Sequence, residues 1–472
     1  MTIHDTASGP AQSAVAGKIE AHGIDMIPDS ERTGSPRSLF ALWAAPNVNY
    51  LAFVVGSALV LMGLSLWQAI GAIAVGTLFA LAPGIVAVSG PASGTPSQIV
   101  TRAMYGVRGN RVAIAINGWF VSICYVALNW AAASVIGFGL AERLGIDTTT
   151  PVKIAVILTI AAATMVVAIY GQATILKLYG PLSVVLLGVF TVVAVYAAIN
   201  GDWTFRSPEP LHGADLWITV AAGATLVAST PLSYTITSDL ARYLPRNTNP
   251  FAVAGYTSLG HALPSFTFLC AGALAATSVD MSDAQTGLDS MLPAWFEPIF
   301  MVSIIVGTLC NNAITTYSAG LALQVMGIKT TRARGVVASG LVAASMTMYA
   351  LLVFDFLDAV SSALVLLVAL VGPIMAVYIT DIIMRRNRYD GAELSDCTPD
   401  SRFWYTGGVN VAGAVACLGA ALAALMCVNA PAFTGPVAKA LGGLDISIPV
   451  GMVLATVLYV VVTRALYNGK SA

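Results

Sequence analysis

The chain has 472 residues, of which 57% are hydrophobic and only 10% charged, with a mean hydropathy of +0.81 and a formal net charge of −1. Soluble domains carry about 25% charged residues, so a water-soluble enzyme or regulatory domain is excluded at the outset. The near-neutral balance, with no basic cluster outside the short cytoplasmic loops, leaves no electrostatic footprint for a nucleic-acid partner.

Residues 1–37 are polar, lack an apolar signal-peptide core, and read as a cytoplasmic tail. From Ser38 to Thr101, 64 residues pass without one Asp, Glu, Lys or Arg. A spanning helix needs roughly 20 such residues, so this stretch holds two spans joined by a turn. Ten further charge-free runs, the first at 112–141 and the last at 446–463, bring the expected total to twelve. The expected order is helix 1 at 39–66, helix 2 at 68–89, helix 3 at 110–141, helix 4 at 152–171, helix 5 at 174–199 and helix 6 at 215–243. Helix 7 follows at 250–278, helix 8 at 294–326, helix 9 at 333–354, helix 10 at 357–385, helix 11 at 403–429 and helix 12 at 446–467. Pro96–Gly106 is expected to form a short interfacial helix on the cytoplasmic side. Barrel strands would alternate over about ten residues, and these runs do not.

Placing the N-terminus in the cytoplasm leaves only Arg143, Lys153, Arg206 and Lys439 outside; the other 18 of the 22 basic residues fall inside. The acids divide evenly. Only Lys and Arg are expected to be biased, so the pattern supports an even span count with both termini cytoplasmic, in the cell inner membrane. Six scattered cysteines show no CxxC or metal spacing and read as small hydrophobes.

Two spans carry a helix breaker with a matching partner. Helix 1 contains Ala44-Ala45-Pro46-Asn47-Val48-Asn49, and helix 6 contains Ala228-Ser229-Thr230-Pro231-Leu232-Ser233. Proline removes a backbone hydrogen bond, and a single case is commonly a plain kink. These two sit five helices apart, each in the first helix of a consecutive five-helix block. Breaks at matching positions of two halves point to a transporter site at the centre of an inverted repeat. The expected organisation is therefore an all-α integral membrane protein with a 5+5 inverted repeat. The repeats are 38–200 and 215–386, followed by a cytoplasmic loop at 387–402, accessory helices over 403–467 and a short cytoplasmic C-terminus at 468–472. Pro181, Pro264 and Pro373 read as packing kinks.

The spans hold almost no ionisable group near the bilayer centre, where charge is costly and usually functional. A neutral, flat, hydrogen-bonding solute fits such an interior better than a sugar phosphate or dicarboxylate. The polar residues available are amides, hydroxyls and aromatics: Asn117, Trp119, Ser122, Tyr125, Asn129 and Trp130 on helix 3, Tyr234 on helix 6, and Asn311, Asn312, Thr315 and Thr316 on helix 8. Trp119 and Ser122, and Ser122 and Tyr125, share a helical face by i, i+3 spacing. Each of these residues has a plain alternative as inter-helix packing. Asp239 with Arg242 one turn later reads as an ion pair or gate brace at the cytoplasmic end of helix 6, the alternative being a proton carrier. His261 reads as a neutral histidine bonded to a backbone carbonyl, the alternative being titration near neutrality. HExxH, P-loop and GxSxG motifs are absent, so an intramembrane enzyme is not expected and neither is a cofactor.

Gly23-Ile24-Asp25-Met26-Ile27-Pro28, Arg32, Leu39-Phe40 and Trp43 with Asn47 resemble the opening of nucleobase–cation symporter-1 proteins. So do Gly94-Thr95-Pro96 with Arg102 and Gly106, Gly118-Trp119-Phe120, and Tyr317-Ser318-Ala319-Gly320-Leu321. Thr237-Ser238-Asp239-Leu240-Ala241-Arg242-Tyr243-Leu244-Pro245-Arg246 is similar to that family's S-D-Y-x-R-Y-L-P signature. The resemblance implies a LeuT-type fold with discontinuous helices 1 and 6. It also implies secondary active import of a cytosine, purine, uracil, allantoin or hydantoin class solute by symport with Na⁺ or H⁺. Substrate would stack on Trp119, covered on its other face by a helix 6 aromatic whose position falls on Thr230 here, with Tyr234 as a substitute by reach, and Asn311 or Asn312 would bond the ring; Ser122 and Tyr125, on the helix 3 face, are further candidates. Sodium, if used, would be held by Ala44, Ala45 and Asn47 and by Gly307 or Thr308. The position of a glutamine found in hydantoin carriers is Ile123 here. The acting unit reads as a monomer, and the alternative cargo is an amino acid or vitamin.

Overall fold

Lipid offers the backbone no hydrogen-bond partner, so each apolar run closes its own bonds as a helix. The computed structural model describes residues 19–20, 22–281, 284–353, 356–430 and 433–467, and of 284–286, 289, 356–365 and 368 only the backbone. What the sequence suggests for residues 1–18, 21 and 468–472 lies outside the described residues. Among the described residues nine helices are long and apolar enough to cross a membrane, and one bent pair makes a tenth. Two shorter apolar helices, Ala369–Met384 and Val411–Cys427, complete the twelve.

Helix 1 is split into helix 1a (Ser38–Asn47) and helix 1b (Tyr50–Leu61), bent by 58°. Helix 2 runs Leu66–Ser93, helix 3 Val107–Arg143, helix 4 Thr150–Tyr170 and helix 5 Gln172–Asn200. Helix 6 is Gly213–Ser233 and resumes, after a turn, as Ser238–Ala241. Helix 7 is Pro250–Ala275, helix 8 Glu297–Val325, helix 9 Arg332–Leu352, helix 10 Phe356–Met384, helix 11 Val411–Cys427 and helix 12 Ser447–Tyr467.

Several ends differ from the sequence expectation for local reasons. Helix 2 starts at Leu66 because Ser65 and Gln68 form a capping box, the Gln68 side chain accepting from the Ser65 N–H at 2.9 Å. Helix 11 begins at Val411 rather than 403, since Asn410 caps its first turn and a Thr406–Val409 bridge holds the preceding turn. Pro96–Gly106 is not one surface helix but two single turns, Ser97–Val100 and Arg102–Tyr105, whose residues are buried. Asn110 donates to the Gln98 carbonyl at 2.7 Å and holds this segment under the bundle.

Both chain breaks fall two or three residues after their prolines rather than at them. Pro46 and Pro231 remain inside helix 1a and helix 6, and the backbone leaves the helical region at Val48 and Tyr234. A proline cannot donate to the carbonyl four residues back, which weakens the last turn and lets it end there. Asn49 stabilises the first break, donating to the Pro46 carbonyl at 2.7 Å and accepting from the Ala52 N–H at 3.1 Å.

Helix 1 lies along helix 7 because small residues let the backbones touch. A Cβ on Gly56 would strike the Leu269 carbonyl, one on Gly272 the Phe53 carbonyl, and one on Gly260 the Phe40 carbonyl. This contact carries the broken helix into the centre of the bundle, where its interruption meets that of helix 6.

Candidate functional site

The two interruptions line one cavity. Asn47 and Asn49 come from the helix 1 break, and Thr230, Pro231, Ser233 and Tyr234 from that of helix 6. Thr77 of helix 2, Asn117, Ser122, Tyr125 and Asn129 of helix 3, His261 and Ser265 of helix 7, and Asn311 and Thr315 of helix 8 complete its polar wall. Leu51, Val55, Val121, Val227, Ile236 and Leu269, with Ala52 and Ala80, supply the apolar remainder. Among the described residues no Asp, Glu, Lys or Arg lines it. The chemistry on offer is therefore neutral hydrogen bonding beside aromatic faces, without a fixed charge to balance a charged solute.

Of the residues singled out from sequence, Ser122, Tyr125, Thr230, Tyr234 and Asn311 reach this cavity together. The Tyr234 hydroxyl donates to Asn311 Oδ1 at 3.3 Å, and Tyr125 reaches the Ser229 carbonyl at 3.5 Å. Trp119 does not reach it. Its indole N–H donates to Ser339 Oγ on helix 9 at 3.0 Å, and its ring packs on the side occupied by Ile123, Val126 and Trp130. The reason is local: residues Ile114–Val121 form a π-helical segment. Its wider turn rotates Trp119 away from the face that Ser122 and Tyr125 share, so i, i+3 spacing misleads there. Asn312 also faces elsewhere, donating to the Val126 carbonyl at 3.1 Å and tying helix 8 to helix 3.

The residues named for a cation gather where helix 8 meets the helix 1 break. Gly307 lets helix 8 approach so closely that an added Cβ would sit 2.8 Å from the Val48 carbonyl, and its neighbour Thr308 is buried. The Ala44 carbonyl accepts the Val48 N–H at 3.0 Å, and Ala45 is fully buried. Asn47 is bonded on all sides: it donates to the Trp43 carbonyl at 2.7 Å, lies 3.0 Å from His261 Nδ1, and accepts from Ser265 Oγ at 3.1 Å. Among the described residues no group of three or more His, Cys, Asp or Glu could ligate a metal.

Asp239 and Arg242 are not paired with each other as an i, i+3 ion pair. The Asp239 carboxylate accepts from the Ser97 N–H at 2.8 Å, Gln98 Nε2 at 3.0 Å and Ser318 Oγ at 2.6 Å. It thereby joins the segment after helix 2 to helices 6 and 8. Arg242, also fully buried, turns to the tail instead: it donates to the carbonyls of Gly23 at 2.9 Å and Asp25 at 3.4 Å and to Tyr317 Oη at 3.1 Å, and it pairs with Glu20 at 3.5 Å. The Glu20 carboxylate also accepts from the hydroxyls of Tyr317 at 3.0 Å and Tyr243, and from the Gln172 N–H of helix 5 at 2.9 Å. The left-handed Gly94 (φ 68°) makes room for Arg32, whose Nε donates to the Ile27 carbonyl at 2.8 Å. Glu20 and tail residues 22–34 are thus stitched across the ends of helices 2, 5, 6 and 8.

Sequence reasoning missed Glu20, Asn49 and Ser265, and assigned His261 to a backbone carbonyl. Two asparagines within three residues after Pro46 in an otherwise apolar run were the available signal for Asn49. For Glu20 and Ser265 no local pattern exists, because their partners lie far away in sequence.

A family model described as a permease for cytosine/purines, uracil, thiamine and allantoin matches residues 26–451. The chain belongs to this family. Relatives within reach of sequence comparison are also carriers by name. A putative purine-cytosine permease, YxlA, of Bacillus subtilis is 26% identical over 464 residues, covering 95% of this chain and 96% of that protein. A vitamin B6 transporter, TPN1, of Saccharomyces cerevisiae is 23% identical over 342 residues, covering 66% of this chain and 56% of that protein. Among solved structures, Mhp1, a nucleobase-cation-symport-1 family transporter in a closed conformation with bromovinylhydantoin bound, superposes with a TM-score of 0.74 at 18% identity, over 97% and 96% of the two chains. A Na⁺-coupled sialic acid symporter superposes at 0.61 with 11% identity, over 93% and 91%. The fold is that of the LeuT-type carriers, with helices 1 and 6 discontinuous, and this permease family member is a multi-pass membrane transporter rather than an enzyme.

Proposed function

We propose that this permease imports a neutral nucleobase or related heterocycle by cation symport with alternating access. One observation carries the reading: the cavity joining the two helix breaks is walled by amides, hydroxyls and tyrosines, with no Asp, Glu, Lys or Arg among the described residues. A flat heterocycle can lie against Tyr125 or Tyr234 while Asn117, Asn129 and Asn311 read its donor and acceptor edge. The family description and the B. subtilis relative support this cargo class. For the ion, the turn of Gly307 and Thr308 against the helix 1 break is the proposed sodium position, with a proton as the other candidate. The charge bias of the loops supports cytoplasmic termini in the inner membrane, with the tail and the Asp239 cluster on the cytoplasmic face.

The test is uptake by proteoliposomes of radiolabelled cytosine, uracil, hypoxanthine, allantoin and hydantoin, with a Na⁺ gradient or a pH gradient imposed separately. Saturable, gradient-driven uptake of at least one compound is expected. No uptake or competition across the panel under either gradient would sink the proposal. The similarity to a vitamin B6 transporter favours a second reading, in which the cargo is a vitamin heterocycle. Pyridoxine in the same panel decides between them.

A further inference from the structure

The hydrogen bonds around the helix 1 break determine which nitrogen of His261 carries its proton. A backbone carbonyl only accepts, so the atom of Asn47 that lies 2.7 Å from the Trp43 carbonyl must be its NH₂. The Asn47 carbonyl oxygen then faces Ser265 Oγ at 3.1 Å, which donates to it. The second hydrogen of the same NH₂ is directed to His261 Nδ1, 3.0 Å away. That nitrogen must offer a lone pair, because an N–H there would meet another N–H. A neutral imidazole with a bare Nδ1 carries its proton on Nε2.

The ring is fixed in place. It stacks on Trp43 with centroids 4.5 Å apart and planes 28° apart, and meets Tyr234 at 4.6 Å. His261 lines the cavity and is almost fully buried, and its Nε2 is itself enclosed, with no hydrogen-bond partner among the described residues. A buried donor without an acceptor is costly, and a solute atom that reached it would relieve that cost.

We propose that His261 Nε2–H is the donor that recognises a carbonyl oxygen of the transported solute, and that it selects for solutes carrying one. The inference rests on the cargo class proposed above. Because the Nδ1 side is tied to Asn47 at the helix 1 break, the same imidazole joins solute recognition to the interruption that must move during transport. Besides His261, the titratable side chains of the wall among the described residues are the phenols of Tyr125 and Tyr234.

The experiment measures binding of two matched probes, cytosine and 4-aminopyrimidine, which lacks the ring carbonyl, to the purified full chain by competition against whichever panel compound the wild type transports. His261→Phe keeps an aromatic ring between Trp43 and Tyr234 but has no donor. His261→Gln keeps an amide donor near the position of Nε2. Wild type is expected to prefer cytosine, and H261F to weaken cytosine by about 10- to 100-fold, the range for a lost buried hydrogen bond, while 4-aminopyrimidine changes by less than about three-fold. H261Q is expected to keep the preference. Equal weakening of both probes in H261F, or no weakening, overturns the inference, and so does loss of the preference in a folded H261Q should H261F fail to fold. If wild type binds nothing in the panel, the cargo class itself is refuted and this inference with it; if wild type binds and the variants do not discriminate, only the role of His261 is refuted.

Discussion

Glu20→Ala tests whether the tail is a working part of the closed cytoplasmic face. The side chains of Arg242 and Glu20 are 0% and 2% exposed, so their pairing is that of two buried charges. Removing the carboxylate deprives Arg242, Tyr243, Tyr317 and the Gln172 N–H of one shared acceptor. Breaking a buried pair costs about 3–5 kcal/mol, because the remaining charge stays buried without its partner. Arg242 keeps the carbonyls of Gly23 and Asp25, so the lower end, about 3 kcal/mol, applies. At 1.4 kcal/mol per factor of ten, the undocked tail becomes about 100-fold more populated. Hydrogen exchange reads this at the N–H of Ile27, bonded to the Gly94 carbonyl at 2.9 Å, and of Gly34, bonded to the Tyr243 carbonyl at 3.1 Å. Neither amide touches Glu20, so both report on docking alone. They should exchange about 100-fold faster in E20A, and E20Q should fall between E20A and wild type. Protection within about three-fold of wild type in a folded E20A would refute the reasoning.

Other perturbations separate packing from recognition. Asp239→Asn places an NH₂ among three donors, and should lower the melting temperature in detergent and loosen the segment 96–106; an unchanged melting curve would contradict the assigned bonds. Trp119→Phe loses one hydrogen bond to Ser339 at the helix 9 side, so stability should drop by about 1 kcal/mol while probe affinity stays within about two-fold. A large affinity loss would put Trp119 back in the cavity. Gly56→Ala drives a Cβ into the Leu269 carbonyl and should abolish or strongly reduce folded yield, whereas Gly71→Ala, where nothing lies within 4 Å, should be silent. Equal yields of the two, by size-exclusion profile, would refute the close packing of helix 1b on helix 7.

Length, composition and the order of apolar runs determined the twelve spans by themselves. The physical reason is that lipid penalises every unpaired backbone group and every charge, so the constraint acts on each segment separately. The proline pair likewise marked both breaks, because a missing N–H is a local property of the chain. Which side chains face the cavity was decided only in three dimensions. A π-helical segment re-aims Trp119 while Ser122, a few residues on, stays on the wall. Asp239 and Arg242, one turn apart, answer to Ser97, Gln98 and Ser318 in one case and to Glu20, Gly23 and Tyr317 in the other. Asn47 finds His261 across 214 residues of chain. Hydrogen bonds between distant segments depend on how helices rotate and pack against each other, and no periodicity within one helix encodes that rotation.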